Sequence, residues 1–240
     1  MRYFIGTSGW QYADWKGKFY PENLTRKDWL GYYAQHFPTL EINSSFYHLP
    51  QPKALINWYE TVPRDFVFSL KVSRYITHIK RLHDAGEAAK EFVQRAVLLK
   101  EKLGCLLYQL PPGLKRNDEL LQGFLAALPR GFRHVMEFRH PSWFAPAVEE
   151  ILHNHGAGFC IFDMPELTSP LITTAGFGYV RFHGSQALYS SLYSDSELKQ
   201  WSHKLQALSH NVNQIFIYFN NDIAGFALDN ASTLNRYLNN

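Results

Sequence analysis

The stretch GYVRFHG, residues 178–184, has the character of a buried β-strand that ends in polar groups. Aromatic and β-branched residues are enriched in strands. Arg181 and His183 lie two positions apart, so a strand directs both side chains to one face, while Phe182 points to the other. Such a strand needs an apolar layer on one side and a place for charge on the other.

Seven further apolar runs of similar length lie along the chain, and most of them precede an amphipathic segment. This alternation is typical of parallel sheets with crossover helices. The eight predicted strands span residues 3–7, 39–43, 66–72, 105–110, 134–139, 158–163, 178–183 and 214–220. Eight strands favour a closed barrel over an open sheet, and 240 residues suit one such unit. The sequence therefore predicts an α/β fold, a single (β/α)₈ barrel of TIM type occupying residues 1–240.

Helical periodicity is clearest in residues 84–103, where apolar side chains recur every three or four positions. Six more helices are predicted at residues 27–36, 53–61, 118–128, 145–155, 196–209 and 230–238. After the sixth strand, the segment MPELTSPLITTAG, residues 164–176, contains two prolines and lacks a helical period. Proline removes a backbone donor and interrupts helices, so we expect an irregular crossover there.

Composition excludes several classes of protein. Apolar residues make up 46% of the chain and charged residues 19%, a balance typical of globular proteins. A net charge of +3 gives only weak support for a nucleic-acid partner and none for a membrane partner. Cys105 and Cys160 lie in apolar runs and are expected to be reduced and buried. With neither a leader segment nor a long apolar span in the sequence, the expected location is the cytoplasm.

Polar residues close seven of the eight predicted strands. They are Glu41, Asn43, Lys71, Ser73, Gln109, Glu137, Arg139, Asp163, Arg181, His183 and Asn220. Four strands end in pairs two positions apart, within the tripeptides EIN, KVS, EFR and RFH. The carboxyl ends of barrel strands surround one mouth, where barrel enzymes assemble their sites. We therefore expect these groups to converge on the barrel axis.

Two interpretations of this charge cluster are open. Glu41, Lys71, Glu137, Arg139 and Arg181 can form a structural network of ion pairs that plugs the barrel. They can also line a ligand site. The ligand site is favoured, because buried ion pairs seldom stabilise a protein more than apolar packing of similar volume.

Two neighbouring segments are candidates for further contacts. The loop TSGWQYADWKGKFYP, residues 7–21, carries Trp10 and Tyr12, which either stack on a sugar or base or form a packed lid over the mouth. The run YFNND, residues 218–222, supplies Asn220 and Asn221 as amide ligands for a substrate.

The first functional hypothesis is an enzyme acting on an anionic or polyhydroxylated small molecule, such as a phosphorylated sugar or a nucleotide derivative. The candidate catalytic residues are Glu41, Glu137, Lys71 and His183, with the two carboxyls as acid and base. The predicted substrate-binding residues are Trp10, Tyr12, Asn43, Gln109, Arg139, Asp163, Arg181, Asn220 and Asn221. Guanidinium groups match the geometry of phosphate and carboxylate. Hydrolysis, including a glycosidase mechanism, isomerisation and lyase chemistry all remain open.

Two alternatives compete with this hypothesis. No cofactor is predicted, but Glu41, Glu137, Asp163 and His183 are a possible set of ligands for a divalent metal, although nearby cations would repel the ion. The other alternative is a non-catalytic protein that binds a nucleic-acid end or a metabolite, with aromatic residues stacking on a base.

Several motifs together resemble the domain of unknown function 72 family, also called YecE-like proteins, over nearly the whole chain. They are G-T-S-G-W-x-Y-x-x-W-x-G-x-F-Y-P at 6–21, E-I-N-S-S-F-Y at 41–47, F-S-L-K-V-S at 68–73, Q-L-P-P at 109–112, E-F-R-H-x-S-W-F at 137–144, Y-V-R-F-H-G at 179–184 and Y-F-N-N-D at 218–222. The resemblance implies a TIM-type barrel and supplies no reaction. The segment after Asp163 is the least similar to the family.

Overall fold

Eight parallel strands form a closed barrel in the computed structural model, which describes residues 1–239. The strands are β1 (Arg2–Ser8), β2 (Thr39–Ile42), β3 (Val67–Lys71), β4 (Leu103–Gln109), β5 (Arg133–Glu137), β6 (Gly158–Asp163), β7 (Gly178–Phe182) and β8 (Gln214–Phe219). Neighbours in sequence are neighbours in the barrel, and β8 pairs with β1 to close it. The predicted (β/α)₈ barrel is confirmed, and each predicted strand lies within two residues of an observed one.

Eight α-helices accompany the strands. They are α1 (Trp29–Tyr33), α2 (Ser44–Tyr47), α3 (Pro52–Thr61), α4 (Gly86–Ala96), α5 (Asp118–Ala127), α6 (Pro146–Asn154), α7 (Asp195–Leu208) and α8 (Phe226–Asn239). The prediction missed the single turn of α2, which the Ser45 hydroxyl ties to the backbone oxygen of Lys71 at 2.7 Å. It also extended α4 too far, because Lys100 has a φ of 49° and interrupts the helix.

The connection between β6 and β7 contains no helix among residues 164–177, which confirms the predicted irregular crossover. Side chains of this segment take the place of a helix by bonding β6 directly. The backbone N–H of Phe162 donates to the Ser169 hydroxyl at 2.8 Å, and that of Phe159 donates to the Thr174 hydroxyl at 2.9 Å. Buried donors of β6 are therefore satisfied without regular structure.

Apolar side chains pack on both faces of the barrel wall, in two separate layers. The outer layer packs between barrel and helices and includes Ile42, Val72, Phe138 and Phe182, all fully buried. An inner layer fills the amino-terminal part of the barrel with Phe4, Cys105, Leu107, Val135, Cys160, Phe177, Tyr179, Phe216 and Tyr218. Both cysteines are free and buried. Because this end is plugged by apolar groups, the inward-facing polar side chains collect at the carboxyl end.

None of the helices within residues 1–239 combines the length and the apolar character needed to cross a membrane.

Close approach of β1 to β2 requires glycine at position 6. A methyl group there would lie 2.2 Å from the backbone oxygen of Thr39. We expect Gly6→Ala to lower the free energy of unfolding by about 1–3 kcal/mol, as overpacking does elsewhere. Urea denaturation measures the change.

Gly123 on α5 provides the matched control, since a methyl group there would meet no atom within 4 Å. Gly123→Ala should raise the free energy of unfolding by about 0.5–1 kcal/mol, because alanine loses less backbone entropy in a helix. Equal stability of the two variants would contradict the close contact at position 6.

Candidate active site at the carboxyl ends of the strands

Arg181 joins two buried carboxylates at the centre of the barrel mouth. Its side chain is 1% exposed, and those of Glu41 and Glu137 are 0% exposed. The guanidinium donates from Nη2 to Glu41 Oε1 at 2.7 Å and from Nη1 to Glu137 Oε2 at 2.8 Å. Strands β2, β5 and β7 are thus linked by charge across the barrel axis.

Glu41 has both carboxylate oxygens occupied by donors. Oε2 accepts a hydrogen bond from the Tyr179 hydroxyl at 2.5 Å, while Oε1 accepts from Arg181 and from the Ser8 hydroxyl. Three donors thus satisfy a carboxylate that is 0% exposed. Its burial keeps both oxygens away from a substrate in the mouth.

Glu137 is held in the same way. Its Oε1 accepts from Gln109 Nε2 at 2.8 Å and from Arg139, and its Oε2 accepts from Arg181. Burial by itself raises the pKa of Glu137, but Arg139 and Arg181 outweigh burial and hold the pKa well below its ordinary value. Near neutral pH, Glu137 is a fixed negative charge rather than a proton donor.

Arg139 extends the network towards solvent. Its guanidinium lies 4.8 Å from the centre of the Phe162 ring, and Nη2 donates to His183 Nε2 at 2.8 Å. A guanidinium has no acceptor, so Nε2 must accept, and the proton of the imidazole lies on Nδ1. Burial, aided by Arg181 and Arg139, lowers the pKa of His183 well below its ordinary value. His183 is therefore neutral.

Lys71 lies at the end of β3 and is partly exposed. Its Nζ lies 4.2 Å from the centre of the Phe46 ring. Within residues 1–239, no side chain forms an ion pair with this ammonium group, and no oxygen accepts a hydrogen bond from it. Burial, followed by repulsion from Arg181, lowers the pKa of Lys71 to about 8.

Two amide side chains complete the side of the mouth near β1, β2 and β8. Asn43 Nδ2 donates to Ser8 Oγ at 2.6 Å and to Asn220 Oδ1 at 3.3 Å, and both asparagines are partly exposed. Asn43 Oδ1 is buried without a partner among the described residues. These amides offer unused donors and acceptors beside the charged groups.

Asp222 is a functional candidate that the sequence analysis missed. Burial raises the pKa of its carboxyl to about 8, with a contribution from Glu41, although Tyr12 and Arg181 act in the opposite direction. Its Oδ1 is buried without a partner in the described part of the chain. The signal was present in the run YFNND, but Asp222 lies beyond the strand, where an aspartate resembles an ordinary turn residue.

Tyr12 lies next to Asp222 at the rim. Its hydroxyl donates to the backbone oxygen of Ser8 at 2.6 Å. Burial raises the pKa of this phenol, and the neighbouring Asp222 carboxyl adds to the effect. Tyr12 therefore remains a neutral hydroxyl, in the place predicted for it beside the mouth.

Three predicted substrate-binding residues lie elsewhere. Trp10 is 5% exposed and packs edge-on against Trp58 of α3. Asn221 donates to the Ser191 backbone oxygen and to Asn230, so it anchors a loop to α8. Both side chains are therefore bonded or packed inside the protein.

Asp163 is the third, and it faces away from the mouth. Its carboxylate accepts from the Thr168 hydroxyl at 3.1 Å, and its position in β6 follows Phe162, the residue that contacts Arg139. Period-two alternation therefore directs Asp163 to the helix side. The prediction treated a polar strand end as sufficient and did not test its parity.

The metal ligands considered above do not form one set. Asp163 is on the other face, the two glutamates are bridged by Arg181, and His183 Nε2 accepts from Arg139. Across residues 1–239, no group of three His, Cys, Asp or Glu side chains is arranged to hold an ion.

Comparison with known proteins agrees with this architecture. A family described as "Protein of unknown function DUF72" matches residues 4–240. A solved DUF72 family protein from Thermotoga maritima MSB8 is 31% identical, with a TM-score of 0.90 and 100% of both chains covered. Its barrel is therefore closely similar in structure.

Two further relatives are similar as well. The UPF0759 protein YunF of Bacillus subtilis (strain 168) is 25% identical, covering 96% of this chain and 93% of YunF. The UPF0759 protein YecE of Escherichia coli (strain K12) is 32% identical over 64% of this chain and 54% of YecE.

Arg181→Met tests the charge network. We expect a loss of about 3–5 kcal/mol in the free energy of unfolding at neutral pH, because two buried carboxylates lose their shared partner. Glu137 has a lowered pKa in the folded state, so its stabilising contribution is present above its unfolded pKa and is lost as pH falls through the folded pKa. The cost of Arg181→Met should therefore shrink in acid. Urea denaturation at several pH values measures it.

Arg116→Met is the control, since Arg116 pairs with Asp118 on the exposed surface. Exposed pairs contribute little, so this variant should unfold like the parent protein. If Arg181→Met also had the same free energy of unfolding as the parent protein, the network would not stabilise the barrel.

Asp222→Asn tests the raised pKa. Between the ordinary pKa of 3.8 and about 8, the folded protein keeps a proton on Asp222 that the unfolded chain has released. The stability of the parent protein therefore falls as pH rises through this window, whereas asparagine cannot ionise. Asp222→Asn should be the more stable protein at alkaline pH. Parallel stability profiles for the two proteins, measured by urea denaturation, would contradict the assignment.

Proposed function

The chain belongs to the DUF72 family, and we propose that it is an enzyme acting on an anionic, polyhydroxylated small molecule. A phosphorylated sugar or a nucleotide derivative has this chemistry. The substrate is proposed to bind at the mouth of the barrel, above the Glu41–Arg181–Glu137 bridge.

The observation that carries the proposal is an unbalanced charge. Three cations, Lys71, Arg139 and Arg181, surround two carboxylates whose oxygens are already bonded to the arginines and neighbouring hydroxyl or amide groups. The Lys71 ammonium lacks an acceptor in the described chain. Partly buried cations need counter-charges, so a bound anion supplies the missing partner. Low dielectric at the mouth strengthens this attraction.

The amide groups favour a substrate with hydroxyls. Asn43, Gln109 and Asn220 are all partly exposed, and an amide can donate and accept at once. The unpartnered Asn43 Oδ1 can accept from a substrate hydroxyl. Charge then holds one end of the ligand, and the amides orient the rest.

The chemistry that this arrangement favours is isomerisation or lyase chemistry by proton transfer. Asp222 has a pKa near working pH, the condition under which a carboxyl both gives and takes protons well. Neutral His183 offers an Nδ1–H that has no partner in the described structure. A glycosidase mechanism using Glu41 and Glu137 has less support, since both carboxylates are 0% exposed and bonded to Arg181. In this proposal the two glutamates position the cations.

The nucleic-acid alternative has less support than the enzyme. Trp10, one of its two stacking residues, is packed against Trp58. Tyr12 alone remains at the rim.

A thermal-shift titration with inorganic phosphate and a panel of sugar phosphates tests the proposal. A ligand that binds only the folded state stabilises it by about 2.7 kcal/mol at a hundred times its Kd. We expect this shift in the parent protein and its loss in Lys71→Met and Arg139→Met, with non-phosphorylated sugars giving little effect.

Lys90→Met is the matched control, because Lys90 lies on the exposed face of α4 and pairs with Glu87. It should respond to phosphate compounds like the parent protein. The proposal fails if no anion raises the melting temperature, or if Lys71→Met and Arg139→Met keep the full response.

A further inference from the structure

We propose that Lys71 is a covalent catalyst that forms an imine with a carbonyl group of the substrate. This inference makes the substrate an anionic aldehyde or ketone. Its anionic part rests on the function proposed above, whereas the covalent step rests on the environment of Lys71 itself.

Three lysines are buried or partly buried, and Lys71 differs from the other two, Lys80 and Lys102. Lys80 Nζ donates to the backbone oxygen of Asp84 at 3.1 Å. Lys102 is 5% exposed, and its Nζ donates to the backbone oxygens of Tyr59 at 2.6 Å and Val62 at 2.7 Å. Two backbone oxygens therefore anchor this buried nitrogen, and its role is structural. Lys102 Nζ also lies over the Tyr59 ring, much as Lys71 Nζ lies over the Phe46 ring. Unlike Lys102, Lys71 has no acceptor within the described residues.

Carboxylates that would normally hold a lysine as a cation are already committed. Glu41 and Glu137 bond Arg181, and Glu137 also bonds Arg139. Lys71 is left in the field of Arg181 and Arg139, with its Nζ 4.2 Å from the centre of the Phe46 ring. A lysine becomes a nucleophile when it is desolvated or next to another cation, and both conditions are met here.

The protonation state supports the geometry. With a pKa of about 8 in place of 10.5, the uncharged amine is on the order of a hundred-fold more abundant at neutral pH than in an ordinary lysine. Only this form attacks a carbonyl carbon.

The step is balanced without an oxidant or a cofactor. The nitrogen lone pair forms a C–N bond, and the carbonyl π pair moves to oxygen. The nitrogen, now positively charged, gives up one proton and regains its lone pair, while the oxygen takes up a proton to become a hydroxyl. A second proton converts that hydroxyl into water, which leaves as the regained lone pair forms the C=N bond, and the nitrogen then releases its second proton. The two amine hydrogens are thus accounted for in the water released. Hydrolysis reverses the sequence and frees Lys71.

Reductive trapping tests the imine. The full chain is incubated with sodium cyanoborohydride and one of three ketones, namely dihydroxyacetone phosphate, pyruvate or uncharged dihydroxyacetone. Intact mass and peptide mapping then locate the adduct. We expect one adduct, on Lys71, formed at least ten-fold faster than on Lys102 or Lys90, with a rate that rises through a pH of about 8. Lys71→Arg should abolish this adduct.

Arg139→Met separates the two parts of the inference. It should remove the preference for phosphorylated over uncharged dihydroxyacetone, while the adduct still forms on Lys71, more slowly because one of the two neighbouring cations is gone. If sugar phosphates stabilise the protein but no ketone modifies Lys71, the imine is wrong and the proposed function stands. If the uncharged ketone modifies Lys71 as fast as the anionic ones, the covalent step stands and the anionic substrate is wrong.

Formaldehyde with the same reductant provides a test that does not depend on substrate shape. As the smallest carbonyl probe, it should methylate Lys71 ahead of the exposed lysines at neutral pH. Methylation of Lys71 no faster than Lys90 would overturn the proposal, because it would show that the amine is not activated.

Discussion

The ion bridge from Glu41 through Arg181 to Glu137 is the interaction on which the barrel mouth depends. Removing three charges from water costs several kcal/mol for each ion, and excellent geometry is needed to offset that cost. The structure provides it, because every carboxylate oxygen has a donor and the guanidinium reaches both acids. Apolar side chains often stabilise such a space equally well, so stability alone does not account for the charges.

The two interpretations of the charge cluster describe different depths of the same mouth. Glu41, Glu137 and Arg181 are sealed and mutually bonded, as a structural plug would be. Lys71, Asn43 and Asn220 lie nearer to solvent, are partly exposed and have unused polar atoms. The sealed layer fixes the positions of the groups in the open layer. A rigid base of this kind lets a site hold ligand atoms without rearranging its own dipoles.

Two carboxyl groups at the mouth have pKa values shifted in opposite directions, one by charge and one by burial. The arginines keep Glu137 ionised, whereas burial raises the pKa of the Asp222 carboxyl, which favours its protonated form. Burial, aided by the same cations, lowers the pKa values of His183 and Lys71. Environments that separate similar groups in this way divide the roles of acid, base and counter-ion at a single pH.

The sequence by itself determined the barrel, its strand positions and the convergence of Glu41, Glu137, Arg139, Arg181 and His183, because side-chain alternation is a local property of a strand. Tertiary structure alone decided how those groups were used. Arg181 meets Glu41 across 140 residues of chain, and that contact commits a candidate acid to an ion pair. The burial of Asp222, and the lack of an acceptor for Lys71 among residues 1–239, likewise arise from distant segments packing together. Protonation depends on those surroundings and not on residue type, which is why it could not be derived from the order of residues.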